Sequence, residues 1–407
     1  MNLKLALLNL TRNTRRTLLS VITLVLAMSM VLIFQGFVES MFDGLREGMI
    51  RSQFGHLQVF PQGYNQFGAL NDANMLFTET QRVELMDSLQ KLPHAEIVTA
   101  RLESDLLITN DYAQMSVHVT GTDPDKESVL SSAIQIIEGA ELFPADRTGI
   151  LLGGGLAAAL GAKVGDELTL LGNSVHQTIN AIDVVVRGIV TTGTAERDLR
   201  AAFTNIGLME DFLLTKGATR IVVLLDDTAM TDAARAEAEK MLAAPARAIE
   251  IKTWSELSPY YHQVVGLFSA VFLFVQIILL LVAGLAVSNA ITMSIVERTR
   301  EIGVIRAIGG DPLQICKMFF LEGSCLGAIS ALLGIPLVLV LSYLINHSGV
   351  MMPTPPGSTV NYPMRIMLDF RILAAGFASC ILVALAASVV PALKTIRMNV
   401  MEALNHV

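Results

Sequence analysis

Four apolar blocks constrain this chain more strongly than any other feature of its sequence. They occupy residues 18–37, 264–296, 319–345 and 372–393 of the 407 residues. A helix that rises about 1.5 Å per residue needs about 20 apolar residues to cross a hydrocarbon core of about 30 Å, and each block reaches that length. A chain that is 52% hydrophobic and only 16% charged does not have the composition of an ordinary soluble enzyme. We therefore predict four transmembrane helices.

A long acidic segment separates the first two blocks. Residues 39–261 contain 31 Asp and Glu against 17 Lys and Arg, which argues against a nucleic-acid-binding surface. The segment is long enough to fold, and we call residues 51–260 the inserted domain. The three cysteines, Cys316, Cys325 and Cys380, all lie in or near the apolar blocks, so we expect no disulfide in the inserted domain.

Basic residues near the ends of the blocks predict the orientation, because short segments rich in Lys and Arg stay in the cytoplasm. Such residues precede the first block, separate the second from the third and follow the fourth: Lys4, Arg12, Arg15, Arg16, Arg298, Arg300, Arg306, Lys317, Lys394 and Arg397. The segment between the third and fourth blocks offers only Arg365 and Arg371. We expect both termini in the cytoplasm and the inserted domain on the other side. The first block exceeds the apolar core of a cleaved signal peptide, so we expect it to remain as an anchor.

Two helices are expected to extend beyond the bilayer as a paired stalk. Apolar residues follow the first block at helical spacing, at Val38, Met41, Phe42, Leu45 and Met49, and the second block is ~50 Å long as a helix. The expected segments are a cytoplasmic start (1–17), the first helix and stalk (18–50), the second stalk and helix (261–296), a cytoplasmic coupling segment (297–312), the third helix (315–345), a periplasmic loop (346–370), the fourth helix (371–393) and a cytoplasmic tail (394–407).

Two similar strand-helix-strand units lie at the two ends of the inserted domain. In the first, residues 54–60 and 96–102 are predicted strands and residues 79–92 a helix, with Thr78 and Gln81 placed for a capping box. In the second, residues 220–225 and 248–254 are predicted strands and residues 232–242 a helix. Together they predict one split α/β subdomain, at 51–104 and 218–260. Strand-like segments at 115–121, 167–172 and 182–193 predict a β-rich lobe at 105–217. The expected fold is therefore a four-helix membrane protein with a large extracytoplasmic α+β domain.

The usual catalytic and metal-binding patterns are absent from the sequence. It contains no G-x-S-x-G, no H-E-x-x-H and no clustered cysteines and histidines. The glycine-rich segment LLGGGLAAALGAKVGD, residues 151–166, lacks the Lys followed by Ser or Thr of a phosphate-binding loop. We expect a short helix, a turn and a strand there. We also expect no metal, no cofactor on this chain and no enzyme activity of its own.

Glu322, in the third block, is a candidate intramembrane polar site, because an ionisable side chain at membrane depth is costly and often functional. Lys317 lies five residues before it, so we favour a structural pairing or capping role over a proton or substrate relay. Small residues recur three or four residues apart on the same helix and permit close helix packing. They are Gly323, Gly327, Ser330 and Gly334.

A charged, glycine-punctuated segment, SIVERTREIGVIRAIGGD at residues 294–311, follows the second block. As a helix it places Ile302, Ile305 and Ile308 toward one side, with Val304 adjacent. Its other notable residues are Glu297, Arg298, Arg300, Glu301, Gly303, Arg306, Gly309 and Gly310. A juxtamembrane anchor explains the arginines but not the interleaved glutamates or the regular apolar positions. A helix that docks into a groove of a cytoplasmic partner explains all of them.

The same residues resemble a known family. VERTREIGVIRAIGG is similar to the coupling segment of the permeases of the FtsX, MacB and LolC/LolE group, the mechanotransmission (type VII) class of ABC transporters. Three further segments resemble the first span, the helix-turn-strand of the extracytoplasmic domain and the ending of these permeases. They are NLTRNTRRTLLSVITLVLAMSMVLIFQG, ILLGGGLAAALGAKVGDELTLL and PALKTIRMNVMEAL.

The resemblance implies a multi-pass protein of a bacterial inner membrane that forms a dimer, with an identical or a different second permease. It implies two separate ATP-binding subunits that hold ATP and Mg, because the ATPase that MacB carries fused is not seen here. It also implies that residues 297–309 dock on the ATPase and that ATPase movements shift the stalks and the inserted domain. The coupling residues so implied are Glu297, Arg298, Arg300, Glu301, Gly303, Ile305, Arg306, Ile308 and Gly309.

The resemblance leaves the cargo open. Length and unfused form are closer to LolC and LolE, which extract lipoproteins, whereas the coupling segment is more similar to that of MacB. We expect extraction or extrusion of a lipoprotein or other hydrophobic substrate from the periplasmic side. The alternatives are a signalling permease like FtsX that activates a periplasmic partner, and efflux with a periplasmic adaptor. A third interpretation, a membrane enzyme, is weakened because the usual catalytic patterns are missing from the sequence. Expected partners include membrane lipid and a periplasmic carrier, adaptor or lipoprotein, but no nucleic acid.

Overall fold

A computed structural model describes residues 14–64, 75–110, 112–242, 248–352, 359, 361 and 363–396, with side chains from residue 17 onward. Lys4, Arg12 and Arg397 and the side chains of Arg15 and Arg16, used above for the orientation, lie outside the described part. The helices are α1 (Thr14–Met49), α2 (Glu79–Leu89), α3 (Pro124–Leu130), α4 (Gly154–Leu160), α5 (Ala195–Asp198), α6 (Ile206–Leu213), α7 (Thr231–Leu242), α8 (Trp254–Leu257), α9 (Pro259–Glu297), α10 (Thr299–Ala307), α11 (Pro312–His347) and α12 (Phe370–Ile396).

A π-helical turn, Ile50–Phe54, continues α1 directly. The strands are β1 (Leu57–Pro61), β2 (Ala95–Thr109), β3 (Gln114–Thr122), β4 (Gln135–Gly139), β5 (Gly149–Gly153), β6 (Glu167–Asn173), β7 (Ile179–Thr191), β8 (Ala201–Asn205), β9 (Arg220–Leu225) and β10 (Ile249–Thr253). The chain divides into two compact units. The membrane unit comprises Met1–Asp43, Val264–Met351 and Pro363–Val407. The other unit comprises Gly44–Gln263 and Met352–Tyr362 and holds the inserted domain.

Four helices in the described part of the chain are long and apolar enough to cross a membrane, as predicted: α1, α9, α11 and α12. Three of them are much longer than a bilayer requires. α1 and α11 have 36 residues each and α9 has 39, or ~54 and ~58 Å of helix, against a hydrocarbon core of ~30 Å. Aromatic rings pack between α1 and α9, since the Phe272 ring on α9 lies 5.2 Å from that of Phe34 and 6.2 Å from that of Phe42 on α1.

The split α/β subdomain has the predicted elements. Its strands lie in the order β10-β1-β9-β2 and are all antiparallel, which is the arrangement of a split β-α-β pair. Its two helices, α2 and α7, bury Leu85 and Ala238 with Val223 of the sheet. The capping box at the start of α2 is confirmed: the Gln81 N–H donates to Thr78 Oγ1 at 3.3 Å, and the Thr78 N–H donates to Gln81 Oε1 at 3.0 Å.

The β-rich lobe is a closed ring of six strands. Pairing runs β2-β3-β8-β5-β7-β6 and returns from β6 to β2. Side chains such as Ile108, Val119, Leu152 and Phe212 are buried inside. β2 joins the two parts of the inserted domain, because its first half pairs with β9 of the split subdomain and its second half with β3 of the ring.

Some strand predictions were incomplete. β4, β5 and β8 were not predicted: β4 is exposed along its whole length, and β5 reads GILLG, so neither shows apolar alternation. The predicted helix and turn at 151–166 are confirmed as α4 and the turn closed by Lys163 N–H on Asp166, although residues 151–153 belong to β5. The strand predicted from residue 54 begins at Leu57, because residues 50–54 continue the preceding helix.

His118 is expected to make the stability of the inserted domain depend on pH. Its Nδ1 lies 2.9 Å from Asp105 Oδ1 and its Nε2 lies 3.6 Å from Glu103 Oε2. Burial lowers the pKa of His118, but the bonds to Asp105 and Glu103 outweigh burial and raise the pKa from 6.5 to about 9. The stabilisation that protonated His118 contributes to the folded state is therefore fully present below pH 6.5 and is lost as the pH rises through 9. We expect the urea midpoint of the chain to fall across this window, and His118→Asn to flatten that fall. An unchanged slope in His118→Asn would contradict the assignment.

Candidate coupling site

The coupling segment is a short helix separated from α9 by one residue. α9 ends at Glu297, Arg298 leaves helical geometry, and α10 starts at Thr299. The Arg298 N–H donates to Ile295 O at 3.1 Å, and Thr299 Oγ1 donates to the same oxygen at 3.1 Å. The N–H of the residue at the break therefore keeps a backbone partner.

Glycine and proline end the segment as the sequence indicated. Gly309 has φ +89°, a backbone region that favours glycine. The Gly310 N–H donates to Ile305 O at 2.9 Å, and a Cβ at Gly310 would lie only 2.7 Å from that oxygen. Asp311 then caps α11 by accepting the Leu313 N–H at 3.0 Å, with Pro312 in the first helical turn.

The two faces of α10 differ in burial. Thr299, Ile302 and Gly303 are buried, and Ile302 belongs to the core of the membrane unit with Ile295 and Phe319. Our prediction that Ile302 shares one side with Ile305 and Ile308 was wrong in this respect. Ile302 is 2% exposed and Ile308 is 81% exposed, because residues six apart on a helix lie about 120° apart around its axis.

The exposed face carries both apolar and charged residues. Val304, Ile305 and Ile308 are the exposed large apolar side chains, and Glu297, Arg300, Glu301 and Gly309 are exposed beside them. Val304 and Ile305 on α10 and Ile308 at its C-cap form an apolar strip bordered by charges of both signs. We call Glu301, Val304, Ile305 and Ile308 the docking face. Arg306 is half-buried instead, and its Nη1 donates to Thr395 O at 3.4 Å.

An ion pair connects the residue between α9 and α10 to α11. Arg298 Nη1 lies 3.6 Å from Glu322 Oε2, and both side chains are almost fully buried. Ser294 Oγ donates to Glu322 Oε1 at 3.0 Å. The partner we considered from the sequence, Lys317, is exposed. Ser294 lies on α9 and Arg298 in the break after it, whereas Glu322 lies on α11, and sequence spacing alone cannot bring them together.

Glycines let α11 approach its neighbours closely. A Cβ at Gly323 would lie 2.0 Å from Ser388 Oγ of α12, and one at Gly327 would lie 2.8 Å from the Ala384 Cβ of the same helix. A Cβ at Gly334 would lie 3.2 Å from Met28 Sδ of α1. The first two glycines therefore face α12 and the third faces α1, which places Glu322 inside a tightly packed group of helices.

Comparisons with known proteins match both parts of the chain. Residues 17–241 match the MacB-like periplasmic core domain family, and residues 273–400 match the FtsX-like permease C-terminal family. The chain is 31% identical over 138 residues to the ABC transporter permease YtrF of Bacillus subtilis (33% of this chain, 31% of that protein). It is 26% identical over 199 residues to the lipoprotein-releasing system transmembrane protein LolC of Neisseria meningitidis (46% of each). It is 29% identical over 162 residues to the macrolide export ATP-binding/permease protein MacB of Rhodopirellula baltica (40% of this chain, 22% of that protein).

The alignments with these three relatives span less than half the length of each. Among solved structures, the chain is similar to the extracellular domain of the noncanonic ABC-type transporter YknZ from Gram-positive bacteria, with 13% identity and a TM-score of 0.36 over 49% of this chain and 100% of that one. It is also similar to the periplasmic region of MacB from Actinobacillus actinomycetemcomitans, with 12% identity and a TM-score of 0.36 over 51% and 92%.

The MacB-like match covers more than half of the chain, and the FtsX-like match covers α11, α12 and most of α9 together with the coupling segment. The chain therefore belongs to the family of ABC transporter permeases that combine a MacB-like periplasmic core domain with an FtsX-like membrane part.

Proposed function

We propose that this permease couples ATP hydrolysis by separate cytoplasmic ATPase subunits to movement of its inserted domain, and that the docking face of α10 is where the ATPase binds. The observation that carries the proposal is the apolar strip of Val304, Ile305 and Ile308 on a helix whose other face is fixed in the membrane unit. ATP and Mg would bind to the ATPase, and this chain would supply no catalytic residue.

Burial of this apolar strip in a groove of a partner protein is more favourable than its exposure to solvent. Fully burying one large aliphatic side chain is worth about 1.5–3 kcal/mol, so three of them supply enough free energy for a stable contact. Glu301 lies at the edge of the same face and is exposed. Because the cytoplasmic surface of a membrane is negatively charged, a glutamate there argues against simple insertion between lipid headgroups. Docking into a groove of a partner accommodates both the apolar strip and the carboxylate.

The buried ion pair supports transmission through α10. Arg298 stands at the junction with α9 and is tied to Glu322 of α11. A force applied to the docking face would therefore act on two membrane helices rather than on a loose loop. We propose that both termini and α10 are cytoplasmic, that the inserted domain is periplasmic, and that the permease acts as a dimer in an inner membrane.

We propose a lipoprotein or another hydrophobic molecule as the substrate, extracted or extruded from the periplasmic side. Support comes from the LolC relative, which is named as part of a lipoprotein-releasing system. Efflux with a periplasmic adaptor is the second candidate, favoured by the match of residues 17–241 to the MacB-like domain. Mass spectrometry of lipids and proteins that co-purify with the chain from native membranes separates the two.

Charge reversal at the edge of the docking face tests the proposal. We expect Glu301→Arg to weaken binding of the ATPase about tenfold, or about 1.4 kcal/mol, because it places a repulsive charge beside the apolar strip. Titration of the purified ATPase against the permease in lipid nanodiscs measures the affinity. Glu237→Arg is the matched control, since Glu237 lies on α7 in the inserted domain and its side chain is 46% exposed. Equal affinities for the two variants would contradict docking at α10.

A further inference from the structure

The C-terminal end of α1 is joined to the inserted domain by an unusual set of hydrogen bonds. A helix ends with about four carbonyl groups that have no partner inside the helix. Here the π-helical turn closes with Gly55, whose N–H donates to Ile50 O at 2.9 Å. The carbonyls of the next four residues, Arg51 to Phe54, all accept hydrogen bonds from other parts of the inserted domain. We call these four residues the helix joint.

Each carbonyl of the helix joint accepts a hydrogen bond from a different part of the inserted domain. Arg51 O accepts from the Ala133 N–H, after α3, at 3.0 Å. Ser52 O accepts from Arg197 Nη1 of α5 at 2.9 Å. Gln53 O accepts from Arg101 Nη1 of β2 at 2.6 Å, and Phe54 O accepts from Gln58 Nε2 of β1 at 2.9 Å.

The donors are themselves held in place. The Arg101 side chain is 1% exposed, and its Nη2 also contacts Glu127 Oε1 of α3 at 2.6 Å. Gln58 is fully buried. Cationic donors form the stronger kind of hydrogen bond, and a positive charge at the carboxyl end of a helix also interacts favourably with the helix dipole. The helix joint is therefore clamped by groups that cannot easily rotate away.

The backbone at Gly55, directly after the helix joint, is also tightly constrained. Gly55 has φ +60°, and a Cβ there would lie 2.5 Å from Val222 Cγ1 and 2.9 Å from Val223 O of β9. A side chain is thus excluded both by backbone conformation and by space. π-Helical turns are rare and occur frequently at functional sites.

We propose that the helix joint, through Arg101 and Arg197, makes α1 the element that imposes its displacement on the inserted domain. This rests on the proposed function, because a displacement has to reach α1 from the membrane unit. Arg101 and Arg197 are positioning residues in this scheme. They contact no substrate, and they act by keeping the end of α1 and the strands of the domain in one rigid body.

The test compares the helix joint with an equivalent ion pair elsewhere in the same domain. The joint variant carries Arg197→Met, Arg101→Met and Glu127→Gln, the last so that no buried carboxylate is left without a partner. The control carries Arg82→Met and Glu210→Gln, which removes an ion pair of the same 2.6 Å length whose side chains are 18% and 19% exposed, against 1% and 12% for Arg101 and Glu127. Both are made in the full chain, with spin labels at Glu39→Cys on α1 and Tyr112→Cys, an exposed site of the inserted domain. The three native cysteines are buried.

We expect the distance distribution between the two labels to broaden at least about twofold in the joint variant and to stay narrow in the control, whether or not ATPase is present. With ATPase and ATP, we expect the joint variant to keep its ATPase stimulation within about twofold but to lose the ATP-driven change in label distance. A narrow distribution in the joint variant would overturn the proposal. If the unmodified chain showed no ATP-driven change, the proposed function would fail, and the width measurement would still decide the helix joint.

Loss of folding must be separated from loss of the joint. Thermal melting of both variants is therefore measured first. If the triple variant does not fold, Arg197→Met alone is compared with Arg197→Lys, which keeps a cationic donor. We expect Arg197→Lys to restore part of the narrow distribution, whereas equal broadening in both would overturn the role of the Arg197 hydrogen bond.

Discussion

Replacing Ile305 with proline is expected to abolish stimulation of the ATPase by the permease, while the inserted domain stays folded. Ile305 lies in the second half of the nine-residue α10. Proline there removes a backbone donor, and its ring clashes with the carbonyl four residues earlier, which costs about 3 kcal/mol or more in a helix interior. The docking face would lose its shape as well as one side chain. We expect a loss of stimulation of at least about tenfold, measured as ATP turnover in nanodiscs.

The comparison with Ile305→Ala separates the backbone from the side chain. Alanine preserves the helix and removes only part of the apolar strip, so we expect a smaller loss, about threefold to tenfold, which corresponds to about 0.7–1.4 kcal/mol. Limited proteolysis of the inserted domain should give the same pattern for both variants and the unmodified chain. Normal stimulation in Ile305→Pro would show that α10 does not transmit the signal.

Breaking the pair between Arg298 and Glu322 is expected to be the most destabilising single change in the membrane unit. Both side chains are almost fully buried, with Arg298 Nη1 3.6 Å from Glu322 Oε2. Removing one partner leaves an uncompensated buried charge, which typically costs 3–5 kcal/mol. We expect that loss for Arg298→Met and for Glu322→Leu. The free energy of unfolding in mixed micelles, followed as a function of denaturing detergent, measures it.

The double variant Arg298→Met with Glu322→Leu should recover most of that loss, because replacing a buried pair with apolar side chains of similar volume is often neutral. Ser294→Ala, which removes only the hydroxyl that donates to Glu322 Oε1, should cost about 1 kcal/mol. Strictly additive effects of the two single changes would mean that Arg298 and Glu322 do not interact.

Local signals in the sequence identified the elements that depend on local interactions. Apolar runs of sufficient length located α1, α9, α11 and α12. Hydroxyl and amide side chains located the start of α2, and the glycines at 309 and 310 located the end of α10. In each case the determining groups lie within a few residues of each other, so the pattern is visible without tertiary structure.

Features that depend on contacts between residues distant in sequence were missed, because such contacts leave no local pattern. β5 and β8 are held by pairing with each other and with other strands of the ring, rather than by alternation of apolar residues. The burial of Ile302 depends on the neighbouring membrane helices. Ser294 and Glu322 are 28 residues apart and belong to different helices. A sequence pattern places residues on an element, but it does not say which element packs against it.

The helix joint also determines what kind of motion can pass through it. Its four acceptors belong to consecutive residues, which lie roughly a quarter turn apart around the helix axis. Hydrogen bonds distributed around the helix axis oppose rotation of the helix about that axis as well as displacement along it. The end of α1 can therefore transmit torque to the inserted domain. The number of residues between Met49 and Gly55 is therefore constrained as well as their identity, because one inserted residue would rotate every carbonyl acceptor away from its donor.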